Sequence, residues 1–192
     1  MLSLFYSGRL TESEEEEFDT EVYGDDQEFD SSNTSINSSR LPAIFKLVKF
    51  KPNTLNLDWG GGKYDIATEY LKTLGVTNLI HDKYNRTSSH NQKVLIQVRK
   101  HGGADTVTCS NVLNVIAEES ERLNVIKNCA KFLKPNGTAY FTVYEGNGSG
   151  KSSSNVDRRS HQQNRKTATY VDEIKQVFKN VTRKGKLIIA KK

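Results

Sequence analysis

The sequence predicts an α/β fold, with a Rossmann-like, mainly parallel sheet, helices on both faces and a C-terminal antiparallel hairpin. Three observations carry that expectation. From Asn53 onward, short β-branched and aromatic runs alternate with stretches of helical periodicity; the first run opens into Gly60-Gly61-Gly62; and the second ends at an acid, Asp82.

Taken in order, residues 41–48 form a short amphipathic turn of helix that Pro52 terminates. Strand one is expected over 54–58. Ile66, Ala67, Tyr70, Leu71 and Leu74 then recur at helical spacing, with Gly75 as the stop. Residues 77–81 are strand two. A second helix shows Val94, Leu95 and Val98 on one face and ends near Gly102-Gly103, after which residues 105–110 form strand three. Residues 118–133 read as a helix with Leu123, Ile126, Cys129, Ala130 and Leu133 sharing a face. Pro135-Asn136-Gly137 makes a turn into a strand at 138–144, rich enough in aromatic and β-branched residues to lie near the sheet centre. Residues 145–169 have no periodicity and read as a lid or a disordered loop. A last helix over 170–178 and two short strands, 181–184 and 186–190, turning at Gly185, complete the chain.

Charge is segregated. Residues 1–40 hold 11 of the 23 acids and only Arg9 and Arg40 as bases, so the remaining 152 residues carry 26 Lys and Arg against 12 acids. Residues 1–40 read as an acidic, disordered tail and residues 41–192 as one domain. A body this basic can attract nucleic acid, or be covered by its own acidic segment; the plain alternative is a solvated surface. No apolar run approaches the length of a membrane helix, so a soluble, cytoplasmic protein without a membrane partner is expected. Cys109 and Cys129 fall inside apolar patterns and are expected to be reduced and buried. His81, His90, His101 and His161 show no ligand spacing, so no metal is expected.

The glycines can be read in three ways. A dinucleotide fingerprint would place a third small residue at position 65, where Asp65 stands, an acid facing pyrophosphate. The segment from Gly146 to Ser152 resembles a phosphate loop but has three residues between its glycines where four are required, and no periodic helix follows. A bare tight turn does not explain why Asp82 follows Gly62 by 20 residues, where a strand-ending carboxylate can accept ribose hydroxyls. S-adenosylmethionine, a sulfonium with an amino group and one carboxylate, tolerates acids here better than NAD does.

On these residues the chain resembles the class I S-adenosylmethionine-dependent methyltransferases. Leu57-Asp58-Trp59-Gly60-Gly61-Gly62 look like that family's first motif, Asp82 like the acid after its second strand, and the segment from Asp105 to Leu113 like its fourth-strand region. The segment from Phe132 to Val143, through Lys134-Pro135-Asn136-Gly137, is similar to its helix, turn and fifth strand. The resemblance covers about residues 53–190. It implies that Asp58, Gly60, Gly61 and Gly62 hold the methionine end of the cofactor, that Asp82 binds ribose, that Tyr84 and Asn85 border adenine, and that Ser110 and Asn111 lie beside the sulfonium. Two departures stand out: no third strand is visible between residues 82 and 104, and the Asn/Asp-Pro-Pro-aromatic motif of exocyclic-amino methyltransferases is missing after Ser110.

Methyl transfer is an in-line displacement that depends largely on positioning. Asn111 and Asn114 are therefore candidates for orienting the acceptor, Tyr144 and Glu145 for a polar rim or base, and Asn164, Arg165 and Lys166 for a clamp on an anionic substrate. The expected function is methyl transfer from S-adenosylmethionine to an unidentified acceptor. A rival from another class is a catalytically silent S-adenosylmethionine-binding module that binds nucleic acid through its basic face; an NAD-type oxidoreductase is a third.

Overall fold

The computed structural model describes Phe29 and residues 40–192; the tail expected over residues 1–40 otherwise lies outside the described residues. Six strands form one sheet in the order β2-β1-β3-β4-β8-β7, with β1 (Leu55–Trp59), β2 (Thr77–His81), β3 (Ala104–Ser110), β4 (Leu133–Thr142), β7 (Asn180–Lys184) and β8 (Leu187–Lys191). Neighbours from β2 to β4 are parallel, whereas β8 runs antiparallel to both β4 and β7. Among the described residues no strand lies outside β2, which makes it an edge and gives a sheet trimmed at the place where the sequence shows no third strand.

Helices cover both faces. On one, α3 (Ser88–Lys100), α4 (Glu119–Lys131) and α5 (Val171–Lys175) pack Leu95, Val98, Ile126, Cys129 and Ile174 against Leu57, Val107 and Phe141. On the other, α1 (Ile44–Leu47) and α2 (Ile66–Thr73) bring Ile44, Phe45, Ala67 and Leu71 together with Leu187. Both cysteines are buried free thiols, and contact with Cys129 together with burial pushes the Cys109 thiol up. No helix among the described residues is long and apolar enough to cross a membrane.

Two expectations need correction. Pro135-Asn136-Gly137 lies inside β4, as an irregularity where the β3–β4 register shifts, and Asn136 takes the left-handed conformation (φ 64°) there. The segment read as a structureless loop contains an antiparallel hairpin, β5 (Ser152–Asn155) with β6 (Ser160–Gln163). Its signal was hidden because β5 is Ser-Ser-Ser-Asn and fully exposed, with no apolar alternation to reveal a strand. His161 and Gln163 of β6 supply the inward face instead.

Candidate functional site

Parallel strands β1 and β3 leave in opposite directions across the sheet, so the C-terminal edge opens at the point where strand order reverses. The predicted residues gather there. A cavity of about 170 Å³ is lined by Asp58, the three glycines, Ser110 and Asn111, together with Arg40, Lys63 and Tyr64.

The turn admits glycine only. At Gly60 (φ 73°) a Cβ would lie 2.4 Å from Val112 Cγ2, and at Gly61 it would lie 2.4 Å from Asp58 Oδ2 and 2.9 Å from Ile80 Cγ2. The backbone of this turn is bound to the tip of β2. Gly60 N donates to His81 O (2.7 Å), Gly62 N donates to Asp82 Oδ2 (2.8 Å), and Arg86 Nε donates to Gly62 O (2.8 Å). Asp82 Oδ1 meanwhile accepts from the backbone N–H groups of Tyr84 and Asn85 and from the Asn85 amide. The two motifs read separately in the sequence are thus one hydrogen-bonded unit. Lys83 Nζ lies 5.4 Å from the Tyr84 ring centroid, placing a cation on the aromatic expected to border adenine.

Asp58 is 2% exposed and accepts from Thr108 Oγ1 at 2.9 Å. Burial pushes its carboxyl up to about 7, further raised by Asp82 and opposed by Thr108 and Arg86. It ends a polar ladder across the three strands: Asn78 Nδ2 donates to Thr68 Oγ1, Asn56 Nδ2 to Asn78 Oδ1 and Thr108 Oγ1, and Thr106 Oγ1 to Asn56 Oδ1. Sequence reasoning missed this ladder, although Asn56, Asp58, Thr106 and Thr108 stand at alternate strand positions and so share a face. Arg86 was missed too. It pairs with Asp65 at 2.8 Å, which partly neutralises the acid that seemed to argue against a dinucleotide; that objection now falls on buried Asp58.

His81 ends β2 and is buried. Its ring stacks on Trp59 with centroids 4.0 Å apart, and burial, with His90 nearby, holds it neutral at about 3. Ser110 Oγ meets Thr142 Oγ1 at 3.0 Å, and Asn111 breaks out of β3 in the left-handed conformation (φ 58°), which asparagine adopts more readily than most non-glycine residues.

The remaining predicted residues lie along the ends of β3 and β4. Asn114 is fully buried: its Oδ1 accepts from Tyr144 N and its Nδ2 donates to Gln162 Oε1 at 3.0 Å. Gln162 Nε2 returns a bond to Tyr144 O (2.9 Å), so Asn114 and Gln162 stitch the hairpin to the sheet. Tyr144 is exposed. Glu145 Oε1 accepts from both N and Oγ1 of Thr167 at 2.8 Å, while Lys186 Nζ stands 3.3 Å from its Oε2. Those Thr167 bonds, with Lys186, hold its carboxyl down at about 2. Asn164 donates to Lys151 O, and Arg165 is engaged by Glu173, Gln163 and Thr169, with its guanidinium 4.2 Å from the Tyr170 centroid. Lys166 is exposed. Asn164, Arg165 and Lys166 therefore do not converge as one clamp. Among the described residues no group of three His, Cys, Asp or Glu is placed to hold a metal.

No family model matches the sequence, and no curated protein matches it significantly. Solved structures do. The 1,6-didemethyltoxoflavin-N1-methyltransferase of Burkholderia thailandensis, with S-adenosylhomocysteine and 1,6-didemethyltoxoflavin bound, superposes with a TM-score of 0.54 at 15% identity over 74% of this chain and 72% of its own. Human N-acetylserotonin methyltransferase in complex with S-adenosylmethionine gives 0.52 at 14% identity, and the pyocyanin biosynthetic protein PhzM 0.52 at 17%, each over 78% of this chain. The match spans only about half of those two proteins, 50% and 53% of their lengths. With the glycine turn, the acid at the tip of β2 and the reversed hairpin at the far edge in their expected places, the chain has the fold of the class I S-adenosylmethionine-dependent methyltransferases.

Proposed function

We propose that the chain transfers a methyl group from S-adenosylmethionine to an acceptor that approaches the ends of β3 and β4. One observation carries the reading: a buried carboxyl, Asp58, lines the same cleft as an obligatory glycine turn and the cations Arg40 and Lys63. A cleft lined by both a buried acid and bases complements the zwitterionic amino-acid end of that cofactor. A pyrophosphate beside Asp58 would instead hold that carboxyl in its neutral form, whereas an ammonium favours the ionised one. Two of the fold neighbours are bound to S-adenosylhomocysteine or S-adenosylmethionine, which supports the assignment.

When bound, S-adenosylmethionine supplies a sulfonium methyl open to in-line displacement. The chain's own residues provide placement. Asp58 would accept the ammonium, Arg40 and Lys63 would meet the carboxylate, and Asp82, already fixed by four N–H donors, would take the ribose hydroxyls. Asn111 offers its amide at the mouth as the group that orients the acceptor, and Tyr144 forms the exposed rim. Positioning is the main contribution such a site makes, and a base is needed only when the acceptor must lose a proton. Glu145, held at about 2 by Thr167 and Lys186, is a clip on the turn at Thr167 in this assignment. Acceptor contacts fall to the chain-specific residues 144–166, including Lys166, and the basic body keeps nucleic acid among the acceptors to be screened.

The test has two arms. Calorimetry with S-adenosylmethionine and S-adenosylhomocysteine should register binding that Asp82→Ala weakens; absence of heat with either compound would end the proposal. A radiolabelled-methyl screen against nucleic acid, protein and small-molecule pools should then label one class. Binding without label in any pool would leave the silent-module reading in its place.

A further inference from the structure

The β5–β6 hairpin carries a charge pattern that the cofactor site does not use. Between Gly146 and Lys166 the only acid is Asp157, whereas Lys151, Arg158, Arg159, Arg165 and Lys166 are basic. Arg165 is taken up by Glu173, but Lys151, Arg158 and Lys166 stand exposed. Against this hairpin lies one residue from the N-terminal part of the chain. The Phe29 ring packs on His161 of β6 with centroids 5.9 Å apart and planes tilted by 37°. His161 is well buried there, its Nδ1 meets Ser154 Oγ at 2.8 Å, and its Nε2 has no hydrogen-bond partner, so the ring's inner edge is committed to the hairpin and its face is what Phe29 covers.

Phe29 is flanked in sequence by Glu28 and Asp30. Ten acids lie between Glu12 and Glu28, and no base occurs between Arg9 and Arg40. A residue three or four positions from an anchored ring can be no farther than about 14 Å from it, since a chain spans at most about 3.6 Å per residue. Within that reach lie Asp25, Asp26, Glu28 and Asp30 on one side. On the other are Arg158 and Arg159, two or three positions along β6 and its turn from His161, and Lys151, three positions before Ser154. Tethering through Phe29 would hold these acids near the hairpin at the high effective concentration of a short linker, which would favour weak charge pairs that do not form between free molecules.

We propose that the basic β5–β6 hairpin is the docking surface for the chain's own acidic segment, residues 12–30, held there by the seating of Phe29 on His161. The hairpin is stitched through Gln162 to Asn114 and Tyr144, at the ends of β3 and β4. Where the methyl-transfer reading holds, the basic hairpin therefore flanks the acceptor mouth. The docking itself does not depend on that reading.

Zero-length carbodiimide coupling of the full chain, followed by peptide mapping, tests it without any activity measurement. Amide links are expected from acids within residues 12–30 to Lys151 and Lys166. Phe29→Ala, and separately about 1 M salt, where the Debye length falls to about 3 Å, should each cut their yield at least about fivefold. Links from these acids mainly to lysines elsewhere, or links to the hairpin unchanged in Phe29→Ala, would overturn the proposal. So would links joining isotopically labelled to unlabelled chains in a mixture, since the occupant would then be a second copy. As an independent measurement, neutralising Glu14, Glu15, Glu16 and Glu17 to Gln should strengthen retention on heparin, and this gain should vanish when Arg158 and Arg159 are also changed to Glu. Retention indifferent to the four glutamates would count against the docking.

Discussion

The two ends of the candidate site are held together by different means. The cofactor end, from Asp58 through Gly62 to Asp82, is built from consecutive strand tips in parallel register, so neighbouring backbone and short polar side chains fix it. The acceptor end, residues 144–167, has few apolar anchors. It is held by side chains that reach 18 to 48 positions along the sequence: Asn114 to Gln162, Gln162 to Tyr144, Glu145 to Thr167 and Gln163 to the carbonyls of Ile116 and Ala117. The first end has little freedom to vary without losing its shape. The second can be rebuilt by changing a few amides, which is what the proposed pairing of a common cofactor platform with a chain-specific acceptor surface requires.

The largest expected effect separates function from stability at the cofactor end. Asp58 ionises near 3.8 unfolded and near 7 in place, so the native state resists its ionisation. Wild-type stability should therefore fall as pH rises from about 4 to about 7, by up to about 1.4 kcal/mol per pH unit, and stay lowered above 7. Asp58→Asn keeps the acceptor oxygen for Thr108 and has no charge to bury. Its stability advantage should be near zero below pH 4 and reach about 4 kcal/mol above pH 7, read from chemical denaturation of both proteins across that range. The same variant should bind S-adenosylmethionine at least about tenfold more weakly, the loss of a charged hydrogen bond. A variant no more stable at pH 8 would mean that Asp58 is not the buried acid the cleft requires.

At the acceptor end the costly break lies one layer deeper. Arg122, on α4, donates to both carboxylate oxygens of Glu173 at 2.8 and 3.1 Å and to the carbonyls of Ile116 and Ala117, the same carbonyls that Gln163 approaches from the hairpin. Arg122→Met leaves a largely buried carboxylate with Arg165 alone. Urea denaturation should show a loss of about 3 kcal/mol, at the low end for breaking a buried pair because Arg165 remains. Cofactor affinity should stay within about twofold if the two ends are independent, as distant sites usually are. A large change in affinity would show that they are not.

How much of this was legible in the sequence follows the same division. The glycine turn, Asp82, Ser110 and Asn111 stand at strand ends that periodicity locates, and all but Asp82 line one cleft, with Asp82 bonded to the turn. The Asn56–Thr108 ladder was written in strand alternation but passed over, because a polar residue in a buried parallel strand reads as an interruption. The hairpin was not legible at all: β5 has no apolar residue, and the bonds that hold β6 are single amides to distant partners, which no local pattern records. Arg165 and Asn164 looked like ligand-binding donors for the same reason, since their partners Glu173 and Lys151 stand 8 and 13 positions away.

A smaller break tests the stitching directly. Asn114→Ala removes the acceptor for Tyr144 N and the donor to Gln162, at a cost of about 1 to 3 kcal/mol for buried polar groups left unpaired. Amide hydrogen exchange should quicken over residues 152–163 and remain slow in β1 and β2. Equal quickening at the tips of β1 and β2 would show that the acceptor end also holds the cofactor end in shape.

The smallest expected effect decides what Glu145 does. Its carboxyl stands near 2 because Thr167 donates to it twice and Lys186 lies beside it, so it is ionised and fully bonded throughout the neutral range. A depressed carboxyl contributes stability that is present above its unfolded value of 4.5 and disappears as pH falls toward about 2. Glu145→Gln keeps an acceptor oxygen for Thr167 and gives up the charge facing Lys186, so it should unfold like the wild type only at about pH 2 and below, and be slightly the less stable of the two at pH 7, where solvent screens an exposed ion pair. Methyl transfer, once an acceptor is in hand, should keep its rate within about threefold and its pH profile unshifted, whereas a general base would forfeit about 100-fold or more. A group this strongly stabilised as an anion has little affinity for a proton. A loss of rate on that scale, with the pH profile flattened, would mean that acceptor binding pulls Glu145 away from Thr167, and that the clip and the base are one residue in two arrangements.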